Sequence, residues 1–329
     1  MPNRTVQRMR RNLGRVGSGP LLAGALALFG AFAAGCETNA ATGESRLMLG
    51  YMSPQQQVAL GEQAMPQLTE EYGGATPSPA LQGYVTEVGA KMAAKTEADN
   101  PSLPWEFTLL DSPVINAFAL PGGKVFISRG LAAKLTNEAQ LAGVLGHEIG
   151  HVTAEHIAER VQTQTGTALF GQLLSAAAGL GDSTALQQLT DTIVGYGGQG
   201  YLLHFGRDQE LEADKLGMRY MSRVGYDPVA QRQVMQILAA ESQGARPPEF
   251  LSTHPYPENR IKQIDELLAT QYADITGHPG YGLYESRYKQ RFLVPESKLP
   301  AMKSQASADD SVVAYCSVCG APLVVHEHE

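Results

Sequence analysis

Leu141-Ala-Gly-Val-Leu-Gly-His147-Glu148-Ile-Gly-His151-Val152 decides how the rest of this 329-residue chain is read. Its apolar and small residues spell one buried helix. His147 and His151 stand four residues apart, about one helical turn, so both imidazoles leave the same face. Two imidazoles and a carboxyl group in such an apolar stretch must be satisfied by something, and one metal ion gripped by both rings would do it.

H-E-x-x-H on a helix is the pattern in which the histidines bind zinc and the glutamate acts as a general base. Two histidines leave a zinc ion short, because a catalytic site uses three protein ligands and keeps one position open. A structural zinc, which prefers four closed protein ligands, is the inert alternative. Downstream, Arg207-Asp-Gln-Glu210-Leu-Glu212-Ala-Asp214-Lys-Leu-Gly217 reads as another helix. Glu210 and Asp214 share a face and Glu212 points elsewhere. Taken alone, this acidic segment is an ordinary solvated face. Beside His147 and His151 it is a source of the missing ligand.

From about Met52 to Arg260 the chain resembles the HtpX-like and CAAX-prenyl-protease-like zinc metallopeptidases, which are gluzincins, and within them the secreted BepA-like branch. The resemblance rests on His147 to His151, Glu210 to Asp214, Asn116-Ala-Phe-Ala-Leu-Pro-Gly-Gly, Gly225-Tyr-Asp-Pro and Ser252-Thr-His-Pro-Tyr-Pro-Glu-Asn-Arg-Ile, five segments in order. It implies an α+β fold, mainly helical, with a small sheet beside the H-E-x-x-H helix. It also implies one catalytic Zn2+ held by His147, His151 and Glu210, with Glu148 as base and Asp214 orienting a ligating imidazole. His254 is then either a reversible fourth ligand that gates the site or a stabiliser of the oxyanion. Arg260 either anchors this region or contacts the site. His156, His204 and His278 read as structural or exposed.

Other segments supply a frame. Ser53-Pro54 opens a helix, with Ser as N-cap and Pro at the first helical position. Leu81, Tyr84, Val85, Val88 and Met92 mark one face of a second helix over 80–95. Trp105-Glu-Phe-Thr-Leu-Leu alternates as a strand, and Asn116 to Gly130 forms two strands about the Pro121-Gly122-Gly123 turn. The resemblance implies that Asn116, Ala117 and Phe118 lie along the cleft and pair with an extended substrate. Further helices are expected over 228–240 and 258–271. Thr163 to Gly181 is apolar but short and Gln-interrupted for a membrane span, so it reads as a buried or cleft-covering helix. Gly195 to Tyr201 reads as a flexible link.

The ends carry addresses. Residues 1–35 hold five arginines and no acid, then an apolar run of about 15 residues. Ala33-Ala34-Gly35-Cys36 resembles a bacterial lipobox, with Cys36 as the acylated new N-terminus; a plain signal peptide with a chance cysteine is the alternative. Glu37 is not the Asp of inner-membrane retention, so the expected place is the outer membrane, facing the periplasm. Without residues 1–35 the chain has 20 basic and 33 acidic residues, which argues against nucleic acid as a partner. Hydrophobic content of 43% is that of a folded protein. The only other cysteines, Cys316 and Cys319, sit in a Cys-x-x-Cys-Gly turn followed by His326 and His328. That cluster is a second metal site, a disulfide or a stretch with no role.

The expected organisation is a signal peptide (1–35), a tether (36–51), a metallopeptidase domain (52–290) and a polar tail (291–329). No repeat of 30–40 residues occurs, so a helical-repeat domain is not expected. Address and resemblance together imply a lipid-anchored metalloendopeptidase acting on unfolded or misassembled envelope proteins. The competing expectation is an envelope chaperone that binds outer-membrane protein precursors with little cleavage.

Overall fold

The computed structural model describes residues 36–47, 52–97, 103–165, 190–191, 205–243, 248–255, 257–302, 314–315 and 322–323. β1 (Cys36–Thr38) and β2 (Ser45–Leu47) form an antiparallel hairpin. α1 (Pro54–Glu71) starts in a capping box, where Ser53 and Gln56 each accept the other's backbone N–H. α2 (Pro79–Ala93) is capped by Ser78 and buries Leu81, Tyr84, Val85, Val88 and Met92, the expected face. β3 (Glu106–Leu110), β4 (Ala117–Leu120) and β5 (Lys124–Ser128) form one sheet in the order β3-β5-β4. β4 and β5 pair antiparallel across the Pro-Gly-Gly turn, as expected. Gly122 and Gly123 both have positive φ there, 76° and 87°, which a residue with a Cβ rarely adopts. β3 runs parallel to β5, so β5 is central and β3 and β4 are the two edges.

Helices make up the remainder: α3 (Arg129–Ala132), α4 (Glu138–Thr153), α5 (His156–Thr165), α6 (Arg207–Arg223), α7 (Val229–Glu241), α8 (Glu249–Thr253), α9 (Pro257–Ala269) and α10 (Glu285–Tyr288). A π-turn at Lys289–Leu293 leads into α11 (Val294–Glu296). The short strands β6 (Ala314–Tyr315) and β7 (Pro322–Leu323) pair antiparallel. The result is the expected α+β fold, mainly helical with a small sheet.

α4 is the quoted stretch, and every one of its sixteen residues is buried. Asn137 caps it by accepting the N–H of Gln140 at 2.9 Å. Its first residue, Glu138, accepts from Tyr84 (2.6 Å), Tyr226 (2.7 Å) and Arg287 (2.7 Å). Those bonds fasten the start of α4 to α2, α10 and the segment before α7.

The crossing of α4 on α6 positions the site. Gly146 and Gly150 on α4 meet Ala213 and Gly217 on α6, small residues four apart on both helices, so the backbones approach closely. A Cβ on Gly217 would lie 2.9 Å from Gly146 C and His147 N. We therefore expect Gly217→Ala to destabilise the protein by about 1–3 kcal/mol through overpacking. It should also weaken metal binding, because Glu210 rides on the displaced helix. Urea midpoints and a metal titration check both.

Two boundaries differ from expectation. Residues 39–44 do not behave as a tether: Ala41 is buried in the main core and Asn39 bonds to the end of α4. The packed body also runs past residue 290, since Phe292 is buried and Glu296 and the Pro300 carbonyl bind buried Arg129. Each stretch docks through a buried apolar side chain, Ala41 or Phe292, and a few hydrogen bonds or ion pairs beside it. The signal peptide, the apolar stretch beyond Thr165, the 195–201 link, His204, Cys316, Cys319, His326 and His328 lie outside the described residues. Among the described residues no helix is long and apolar enough to cross a membrane.

Candidate metal centre

One helical turn places His147 Nε2 3.1 Å from His151 Nε2. α6 brings Glu210 up from the other side, its carboxylate 3.5 Å from His147 Nε2 and 3.3 Å from His151 Nε2. The turn after α8 adds His254, whose Nδ1 is 3.2 Å from His147 Nε2 and 3.0 Å from Glu210 Oε1. All four side chains are buried, and one donor atom from each lies within 4.8 Å of the others.

The proton count shows why this cluster fits a cation. His147 Nδ1 faces the Asp214 carboxylate at 2.9 Å, so it carries the hydrogen and leaves Nε2 a bare lone pair. His151 Nδ1 is likewise engaged, 3.0 Å from His156 Nδ1. With both rings neutral, lone pairs from two imidazoles and a carboxylate thus converge with no hydrogen to share, so only a bound proton or a cation relieves them. A tetrahedral ion with Zn–N bonds of about 2.0–2.1 Å has ligand–ligand edges of about 3.3 Å, close to the spacings observed. Charge agrees: Glu148, Glu210 and Asp214 face a single guanidinium, Arg260, and a divalent ion closes the difference. Burial and Arg260 act to lower the basicity of His147, yet Asp214 and Glu210 lift it to about 9. The pocket demands positive charge.

Glu148 sits one residue along from His147 and so off the ligand cluster. It is fully buried, with neither carboxylate oxygen hydrogen-bonded, and His254 Nε2 lies 3.6 Å from Oε1. Burial raises its carboxyl above the ordinary carboxylate range, against the opposing pull of His254 and His147.

A supporting layer holds these side chains. Asp214 accepts from Arg260 through two bonds, 2.7 and 2.8 Å, and from Gln231 at 2.7 Å. Arg260 Nη1 also reaches Glu210 at 2.8 Å, so one guanidinium pins both acids of α6. Burial opposes ionisation of Asp214, but Arg260 and His147 outweigh it and hold the group well below the carboxylate range. His254 is stacked on Phe250 and His151 on Phe205, with ring centroids 4.3 and 3.8 Å apart.

The sequence-derived set of His147, His151, Glu210, Glu148, Asp214 and His254 is therefore gathered in one place, and Arg260 contacts it directly. His156, read as structural or exposed, is buried against His151 and bonds Glu212 Oε2 at 3.0 Å through Nε2. Glu212, which points away from the ligands as expected, is the far end of that chain. Gln231 carried no signal at all. Ala117 and Phe118 lie on an edge strand, but all of β4 is buried. Asn116 just before it donates to Glu249 at 2.9 Å, beside the Tyr72 hydroxyl that also binds Glu249.

Comparison with known proteins places this geometry. The family model described as peptidase family M48 matches residues 79–268, more than half of the chain. The chain belongs to peptidase family M48. The M48 match takes in α4, α6 and the His254 turn together. The chain is 35% identical over 190 residues to the beta-barrel assembly-enhancing protease of Escherichia coli, covering 56% of this chain and 38% of that protein. It is 35% identical over 186 residues to the mitochondrial metalloendopeptidase OMA1 of Schizosaccharomyces pombe, covering 56% and 52%. It is 34% identical over 223 residues to a putative beta-barrel assembly-enhancing protease of Vibrio cholerae, covering 65% and 45%. The chain thus spans about half, or less, of the length of the curated relatives it matches.

Proposed function

We propose that this chain is a zinc metalloendopeptidase that hydrolyses peptide bonds in unfolded or misassembled proteins of the bacterial envelope. The observation that carries the reading is the buried meeting of His147, His151 and Glu210 beside a carboxylate, Glu148, that ligates nothing and bonds to nothing. His147, His151 and Glu210 would hold the ion. When bound, zinc polarises the scissile carbonyl and acidifies the attacking water.

The side chains divide the remaining work. Glu148 accepts a proton from the water as its oxygen attacks the carbonyl carbon, then delivers that proton to the leaving amine nitrogen as the C–N bond breaks. Its raised basicity suits the first step and its burial keeps bulk water from taking the proton. Asp214 fixes His147 with the hydrogen on Nδ1. His156 does the same for His151: it accepts from His151 Nδ1, while Glu212 accepts from its Nε2 and so fixes its tautomer. We expect His156→Ala to weaken zinc affinity about 10–100-fold. A competitive chelator titration measures this, and an unchanged affinity would count against the role.

His254 is the gate. Its Nδ1 occupies the fourth corner of the cluster, the position that a catalytic centre leaves open. We expect His254→Ala to cleave an unfolded protein substrate faster than wild type, at lower zinc affinity. A loss of cleavage at saturating zinc would instead make His254 a stabiliser of the oxyanion.

The same reading assigns Asn116, Ala117 and Phe118 to an extended substrate by strand addition. It assigns Cys36 to a diacyl anchor that holds the protein on the periplasmic side of the outer membrane. The names of the Escherichia coli and Vibrio relatives support an envelope role, and the lipobox-like Ala33-Ala34-Gly35-Cys36 supports the anchor.

A further inference from the structure

The stretch that follows Cys36 is bound to the catalytic body. Asn39 is its latch. Its side-chain oxygen accepts the N–H groups of Ala41 (2.9 Å) and Thr42 (3.1 Å), closing a turn. Its amide nitrogen donates to the Thr153 carbonyl at 2.9 Å, the last residue of α4 and two positions beyond His151. Ala41 is buried in the core, and Arg219 on α6 donates to its carbonyl at 3.0 Å. On either side of the turn, β1 pairs with β2 from Cys36 opposite Leu47 to Thr38 opposite Ser45.

We propose that this hairpin seats the catalytic body directly on a phospholipid bilayer, with the C-terminal end of α4 toward the lipid. The proposal rests on Cys36 being the acylated anchor. Reach decides the matter. Sixteen free residues, 36–51, could extend to about 55 Å and let the body wander. With Asn39 latched, the three residues back to Cys36 reach at most about 10 Å. Thr153 is in turn only about 3 Å along the helix from His151. The acyl chains therefore enter the membrane within about 30 Å of the metal cluster, from a fixed side. Arg219, which holds Ala41, also pairs with Glu97, and Arg223 joins that acid to the Lys95 carbonyl, so Lys95 lies on the hairpin's side of the body. An enzyme held this way reaches peptide bonds close to the membrane surface, such as those of membrane-inserted chains that fail to assemble, ahead of freely diffusing chains.

Energy transfer to the bilayer tests this with the full acylated chain. The protein carries Cys316→Ser and Cys319→Ser and is inserted in phosphatidylethanolamine–phosphatidylglycerol vesicles that hold an acceptor dye on a lipid headgroup. The donor is placed at Lys95→Cys, beside the hairpin, or at Lys134→Cys, just before the opposite end of α4 and about 24 Å along its axis. Transfer from position 95 should exceed that from 134 at least twofold. Ten Gly/Ser residues inserted between Glu37 and Thr38 should erase the difference. Equal transfer in the acylated protein overturns the seating, and so does a difference that survives the spacer, since another surface would then hold the body. Mass spectrometry of Cys36 separates the two layers: an unacylated Cys36 removes the anchor itself, whereas acylation with equal transfer removes only the seating.

Discussion

Glu148→Gln should lower the rate of peptide hydrolysis by at least about 100-fold, in the range expected for a lost general base, while the protein still binds one zinc ion per chain. The substitution keeps shape and volume and removes only the ability to accept a proton. His147, His151, Glu210 and His254 converge on one another, and Glu148 lies outside that set, so the ion should stay. The fold should stay too, because neither Glu148 oxygen makes a hydrogen bond that the amide would break. Burying a neutral amide also costs less than burying a carboxylate. Cleavage of an unfolded protein substrate, zinc content by elemental analysis and thermal unfolding should be measured on one preparation. If the variant cuts as fast as wild type, the peptidase reading fails and a binding role in envelope assembly takes its place. If zinc is lost along with activity, Glu148 is a ligand and its role as base is wrong.

How much of this centre could be read in the sequence follows from which contacts obey helical periodicity. His147 with His151, and Glu210 with Asp214, are pairs four apart inside one helix, so spacing alone puts each pair on one face. The Pro-Gly-Gly hairpin was legible for a similar local reason, since two positive-φ positions in a row suit glycine. His156 is different. Five residues on from His151, an unbroken helix would turn it about 140° away from that ring. It meets His151 only because the chain breaks at Glu155, which adopts φ 61°, a conformation rare outside glycine. No residue type announces that break. The sheet order is hidden for another reason: strands adjacent in sequence usually pair, yet β3 lies parallel to β5 and leaves β4 at the opposite edge. Asn39 reads only as part of a tether because its value lies in one bond to a carbonyl 114 residues away.

Arg260 was legible only as a residue near the site, and its removal should give the largest loss of stability. Arginine is rarely buried without charged partners, and here it is 1% exposed between Asp214 and Glu210. Arg260→Ala leaves two buried carboxylates side by side on one face of α6 without their shared cation. Breaking a buried pair from one side costs about 3–5 kcal/mol, so the metal-free protein should unfold at a markedly lower urea concentration. Arg260→Lys should recover little, because an ammonium cannot reproduce the paired Nε and Nη2 bonds to Asp214 while also reaching Glu210. The pH dependence identifies the cause. In the wild type Arg260 and His147 hold Asp214 below its unfolded value, so this carboxylate adds stability that is present above about pH 4 and is lost as the pH falls through the folded value. Without Arg260 that contribution shrinks, so the stability gap between variant and wild type should be widest at neutral pH and narrow on acidification below about pH 4. A gap that stays constant with pH would mean that Arg260 acts by packing, and a small gap at every pH would mean that Gln231 and His147 hold Asp214 without it. With zinc bound, the cation takes over part of the guanidinium's role at Glu210, so the same variant should be rescued by metal by more than wild type is stabilised by it.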